Sequence, residues 1–89
     1  MHFEWDRTKA ESNRRKHKIT FDEAVSVFYD PLSATFPDPG SSRIEERLVT
    51  IGQSSRERLL VVVHTEQGET IRIISARLAT AHERKRHES

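Results

Sequence analysis

The chain has no cysteine. That excludes disulfides, thiolate zinc sites and a cysteine nucleophile, and it suits a reducing cytoplasm. Long apolar runs are missing too. The longest, Leu59 to Val63, is far short of a membrane span. The opening Met1-His2-Phe3-Glu4-Trp5-Asp6 has no apolar h-region and does not read as a secretory signal. Glycine and proline number only three each, and no glycine belongs to a phosphate loop or a G-x-S-x-G elbow. Nor does one sign of charge dominate. Fifteen Lys and Arg face fourteen Asp and Glu, for a net charge of +1. Affinity for nucleic acid would therefore have to come from how the charge is distributed.

What is present suits one small α+β domain over residues 1–89. The chain is 34% hydrophobic and 33% charged, a foldable mixture. A protein this small has little room for both a core and a deep pocket, so an enzyme of this size would work on a large substrate across an open surface. The charge is blocky. Arg7, Lys9, Arg14, Arg15, Lys16 and Lys18 face only Glu11; an acidic stretch from Asp22 to Glu46 follows; Arg77, Arg84, Lys85 and Arg86 then face Glu83 and Glu88. If the two basic segments meet, they form an anion-binding surface.

The pattern predicts the order β-α-α-β-β-β-β-α, a small, mainly antiparallel sheet with helices packed on one side. Residues 2–5 alternate as a strand, with Phe3 and Trp5 on one face. Asp6 caps a helix over 7–17 that has almost no apolar stripe, only Ala10. Thr20 and Glu23 match a capping box, and Phe21, Ala24, Val25 and Phe28 form a stripe that ends at Asp30-Pro31. Residues 32–36 read as an edge strand and 37–42 as a loop. Strands are predicted over 47–53, 58–66 and 69–77, the last two joined across Gln67-Gly68 as a hairpin whose register the pattern leaves open. Thr80 and Glu83 match a second capping box, opening a helix to about residue 88 with one apolar residue, Ala81. Such a helix depends on a partner or on contacts near Arg77.

The five histidines do not make a metal motif. His82 and His87 are five apart, about 140° around a helix, where a zincin needs i, i+4. No metal or cofactor is expected. His17 is either a C-terminal cap favoured by the helix dipole or a base or phosphate contact in a cationic setting. His64 reads as a core or edge histidine. Arg72 either binds phosphate or pairs with a sheet carboxylate such as Glu46, Glu66 or Glu69. Arg77, at a strand end, suits a phosphate. Glu83, Arg84 and His87 can share a helix face. An acid, a guanidinium and an imidazole could together split an RNA phosphodiester; they could equally be an exposed helix laced with ion pairs.

The ordered set Phe3-Glu4-Trp5-Asp6, Lys9-Ala10, Ser12-Asn13, Lys16-His17, Ile19 to Ala24, Asp30-Pro31, Glu46-Arg47, Ile51-Gly52, Ile73 to Arg77, Ala79-Thr80 and Glu83-Arg84 resembles the BrnT family of toxins nearly end to end. The resemblance implies a RelE-like fold and a cytoplasmic, metal-independent endoribonuclease that inhibits translation. It implies a BrnA antitoxin as partner, with DNA bound only through the antitoxin complex, and no membrane. The family's pattern falls on Asn13, His17, Arg77, Glu83 and Arg84. Two departures stand out: Lys18 replaces a frequent glycine, implying a different helix cap or a strain on the order of 1 kcal/mol, and His87 replaces a frequent tyrosine. On this reading Arg77 and Arg84 hold the scissile phosphate, and His87, Glu83 or His17 supplies acid and base. Lys16, Arg14, Arg72 and Lys85 line the RNA path. The rival is a non-catalytic RNA- or protein-binding module of the same fold. A direct transcription regulator is weaker still, for want of a helix-turn-helix signature.

Overall fold

The computed structural model describes residues 1–40 and 46–89. In chain order the elements are β1 (His2–Trp5), α1 (Arg7–His17), α2 (Phe21–Val27), β2 (Ala34–Pro37), β3 (Leu48–Gln53), β4 (Leu59–Gln67), β5 (Thr70–Leu78) and α3 (Ala81–Glu88). The order is the one the pattern predicts, and β2 is an edge strand as expected. The expected loop over 37–42 runs into Ser41 and Ser42, which lie outside the described residues, as do Arg43 and Glu45 of the acidic stretch.

The five strands form one sheet in the order β1-β5-β4-β3-β2. It is mixed rather than mainly antiparallel. β1 lies parallel to β5, with Phe3 opposite Ile71 and Trp5 opposite Ile73, while β2–β3, β3–β4 and β4–β5 are antiparallel. A four-residue strand carries no mark of its partner. Its aromatic face is what commits it, because Phe3 and Trp5 pack against the main core, Trp5 edge-on to Phe21 at 5.9 Å.

The hairpin register places Gln67 opposite Thr70 and Glu66 opposite Ile71, so the loop is Gly68-Glu69. Gly68 takes φ +63° there, which glycine adopts without the Cβ penalty. Further along, Val63 pairs with Ser75 but His64 pairs with Ile73. Ile74 is therefore an extra residue, a β-bulge that shifts the face-to-face alternation of β5 by one.

The core lies in two clusters, one on each face of the sheet. Ile19, Phe21, Ala24, Val27, Leu60, Val62, Ile71, Ile73 and Ala76 form the larger, under α1 and α2. Val49, Ile51, Leu59 and Val61 form the smaller, with Val63 and Ala79 packed on it. Leu59-Leu60-Val61-Val62-Val63 feeds both, the central-strand behaviour its two-sided apolar run implies. α3 approaches the smaller cluster, so the helices are not all on one side.

α1 is polar nearly all round, and a single polar side chain compensates. Asn13, 6% exposed, donates from Nδ2 to the carbonyls of Ile19 (3.1 Å) and Ala76 (2.9 Å) and accepts from the Ala76 N–H at 3.0 Å. Its amide serves Ala76 as a neighbouring strand would, beyond the end of β1. Lys18 caps α1 in the left-handed region at φ 61°, its N–H bonded to the Arg14 carbonyl. The chain keeps a glycine-type cap without the glycine.

The first capping box is only half formed. Thr20 accepts from the Glu23 N–H, but the Glu23 carboxylate turns inward to Arg58 and to Ser54 Oγ at 2.6 Å. The Arg58 guanidinium beside it is the main reason this carboxyl sits below its ordinary range. α2 ends at Val27, before the predicted stop. Asp30 then accepts from the N–H groups of Leu32 and Gln53, tying the turn to the end of β3.

Candidate active site

The bulge at Ile74 decides where Arg77 points. It places Arg77 opposite Val61, and so on the face of the smaller cluster. The Asn13 amide holds the backbone of the preceding residue, Ala76. Two residues beyond β5, Thr80 caps α3 and accepts from the Glu83 N–H, while Glu83 Oε1 accepts from the Thr80 N–H at 2.9 Å. This capping box is complete. It fixes the rotation of α3, which has no buried residue of its own.

With that rotation set, Arg77 Nη1 and Nη2 donate to Glu83 Oε1 and Oε2 at 2.8 and 2.9 Å, a two-pronged pair. The Arg77 guanidinium, foremost, holds the Glu83 carboxyl down to about 2, helped by the Thr80 N–H. Glu83 reciprocally raises Arg77. While paired with Arg77, Glu83 is therefore a carboxylate at any physiological pH.

Beside the pair lies a groove of about 650 Å³. Val49, Ile51, Val61 and Val63 form its apolar floor; Ala34, Phe36, Asp38 and Pro39 line it from the edge of β2 and beyond; and Arg77, Glu83, Arg86 and His87 form its charged wall. His87 is near enough to lower the Asp30 carboxyl, though less than the Gln53 and Leu32 N–H groups do. Glu83, Arg86 and His87 are spaced i, i+3, i+4, one helix face. Arg84, expected on that face, does not line the groove; Arg86 does. The sequence holds the signal, since the capping box that orients Glu83 also orients Arg86, but the expectation followed Glu83 and His87 to Arg84. Phe36 was missed because nothing in its own strand says which face of the sheet would be open.

The remaining candidates are apart. α1 packs on the other face, so the sheet stands between the two basic segments. His17 ends α1 half-buried, and among the described residues its side chain makes no hydrogen bond or ion pair. Arg14 pairs with Glu11 at 2.5 Å. Lys16 borders a polar hollow of about 560 Å³ with Arg7, Glu11 and Arg15. Arg72 pairs at 2.9 Å with Glu4, its register neighbour across the parallel strand, and not with Glu46, Glu66 or Glu69. Lys85 is exposed on α3. His64 is fully buried, with Nε2 2.8 Å from Thr50 Oγ1 and the ring edge-on to Phe28 at 4.9 Å. Burial pushes it down to about 4, and it lies on the helix-covered face, a core histidine. Among the described residues no group of three His, Asp or Glu side chains is placed to hold a metal ion, and no helix is long and apolar enough to cross a membrane.

Residues 5–83 match the family model described as the ribonuclease toxin BrnT of type II toxin-antitoxin systems. The chain belongs to the BrnT family. Its structure is similar to the 1.1 Å crystal structure of the Brucella abortus ribonuclease toxin BrnT, with a TM-score of 0.70 and 25% identity over 90% of this chain and 97% of that one. No curated protein matches. The BrnT match spans all of β1's last residue through the first turn of α3, and so includes Arg77 and Glu83. Membership in a family of type II ribonuclease toxins implies an RNA substrate and an antitoxin partner.

Proposed function

We propose that the chain is a single-domain, metal-independent endoribonuclease toxin that cuts RNA at the groove beside Arg77 and thereby inhibits translation in the cytoplasm. The observation that supports it is the meeting of Arg77, Glu83, Arg86 and His87 at one open apolar groove in a chain of the BrnT family. Arg77 offers a scissile phosphate two parallel donors and stabilises charge on its equatorial oxygens, with Arg86 beside it. His87 takes the proton of the 2′-hydroxyl. The 2′-oxygen attacks phosphorus, the bond from phosphorus to the 5′-oxygen breaks, and the imidazolium returns the proton to that oxygen. A 2′,3′-cyclic phosphate and a 5′-hydroxyl result. Arg84 and Lys85, on the same helix, contact flanking phosphates, and Arg72 extends the path weakly, being already paired with Glu4; Arg14 and Lys16, on α1 across the sheet, lie off this path. His17 lies outside the groove, at the end of α1 across the sheet.

The same reading takes the fold as a RelE-like variant with a parallel first strand. Its partner is a BrnA-like antitoxin that covers the groove, and DNA is reached only through that complex. The test is incubation of the purified chain, free of partner, with RNA in EDTA beside Arg77→Ala. Cleavage by the wild type and its loss in the variant support the proposal. Intact RNA in both tubes, with translating ribosomes also present, refutes it in favour of a non-catalytic binding module.

A further inference from the structure

The Arg77 guanidinium is satisfied before any RNA arrives. Both of its terminal nitrogens are bonded to the two oxygens of Glu83, the same two-pronged geometry in which an arginine takes two phosphate oxygens. A carboxylate and a phosphodiester compete for that edge, and both cannot hold it in this form. The pair is not sealed in the interior: the side chains are 41% and 30% exposed. It opens onto the groove, whose wall includes both residues. Glu83 also has a second anchor, the Thr80 N–H at 2.9 Å, so on leaving Arg77 it has a place to stay without unwinding α3.

We propose that Glu83 is the resident occupant of the phosphate seat on Arg77, and that substrate RNA binds by displacing it. The inference rests on the reading of Arg77 as a phosphate-binding residue. The free chain thus carries a self-blocked anion site, and binding is an exchange of one anion for another on a fixed guanidinium. Anions bound elsewhere on the surface do not open it. Displacement leaves the carboxylate on the Thr80 N–H, still beside the bound phosphodiester, where repulsion between the two anions limits affinity.

Glutamine is accepted at this position of a capping box, so Glu83→Gln removes the charge that holds Arg77 while keeping α3 capped. The probe is a labelled 2′-O-methyl RNA oligonucleotide, which lacks the 2′-hydroxyl nucleophile and cannot be cut by that route. Its affinity is measured by fluorescence anisotropy for the wild type, Glu83→Gln, Arg77→Ala and the double variant, with helix content checked by circular dichroism. Glu83→Gln is expected to bind about five-fold more tightly than the wild type, the upper range for a partly exposed ion pair. In the Arg77→Ala background the same substitution changes affinity less than about two-fold. An equal gain in both backgrounds reduces the effect to general charge and overturns the proposal, as does no gain with Arg77 present, or no binding by any of the four proteins. A second measurement needs no variant: in the wild type, the Arg77 guanidinium nitrogen signals and the Glu83 carboxyl carbon signal must both move on adding the oligonucleotide, and stationary signals overturn it. Cleavage plays no part in either assay. A wild type that leaves RNA intact yet shows the exchange refutes the nuclease alone, and one that cuts RNA without it refutes the exchange alone.

Discussion

Replacing Asn13 with alanine tests how a helix with almost no apolar face is held on the sheet. Three hydrogen bonds of 2.9 to 3.1 Å leave this one side chain, to Ile19 and to both backbone groups of Ala76. At about 1 kcal/mol net each, the loss is about 3 kcal/mol, and the buried carbonyls and N–H left without a partner keep it from being smaller. Against a total of roughly 5–15 kcal/mol for a domain of ordinary stability, that is a large share. Urea denaturation provides the assay. Trp5 is the only tryptophan, and it packs on Phe21, so its fluorescence reports the core beneath α1. The midpoint should fall with little change in slope. Asn13→Asp is the companion: it keeps an acceptor for the Ala76 N–H but aims a carboxylate at two carbonyl oxygens, so it should cost more at pH 7 than the alanine variant. A loss below about 1 kcal/mol for Asn13→Ala would refute the reasoning, since one hydrogen bond alone is worth that much.

Lys18→Gly should stabilise the chain by about 0.5 kcal/mol, since relief of a left-handed residue at roughly 1–2 kcal/mol outweighs the extra unfolded-state entropy of glycine; an unchanged or lower denaturation midpoint contradicts the strain at φ 61°. The buried His64 is held neutral at about 4, so the unfolded chain binds a proton that the folded one refuses. Stability should therefore be full above about pH 6.5 and fall as the pH drops to about 4, by about 3 kcal/mol; the carboxylates Glu83 and Glu23, with lowered values, add their own loss only below about pH 4.5. Denaturation free energies that stay flat from pH 6.5 to 4.5 would exclude this. Gly52→Ala should cost about 1–3 kcal/mol by overpacking, because a Cβ there would lie 2.8 Å from the Ser33 Cβ and 3.0 Å from a Val27 methyl; differential scanning calorimetry reads it directly.

Local signals were legible where the chain decides its own structure. Asp6, Thr20 and Thr80 announce the helix starts, and Leu59-Leu60-Val61-Val62-Val63 announces a central strand, because capping and two-sided burial are written in neighbouring residues. Pairings across long separations were not. The parallel β1–β5 contact joins residues about seventy apart in sequence, and it alone explains why Arg72 finds Glu4. The only mark of the bulge is a break in alternation, Ile73-Ile74 after Ile71-Arg72-Ile73, which an apolar pair at a strand centre does not by itself explain. The groove depends on the bulge, which sets the face that Arg77 joins. The family resemblance pointed to Arg77 and Glu83 as residues, while their direct pairing and the company of Arg86 and Phe36 follow only from three-dimensional placement.

The extra residue in β5 acts as a parity switch. Before it, the odd-numbered side chains Ile71 and Ile73 face the helices; after it, the even-numbered Ala76 does, and Arg77 faces the groove. The same residues paired regularly, with Ile74 taken into the ladder, would turn the arginine into the apolar core and present the alanine on the groove face. Deleting Ile74 should therefore close the ladder without a bulge, with Ile73 opposite His64 and Ser75 opposite Val63 as before, and leave Arg77 on the groove face. A motif of Ser-Ala-Arg at a strand end is thus no guide to a site in a relative unless the residues between the hairpin and the arginine are counted without any that a bulge leaves unpaired.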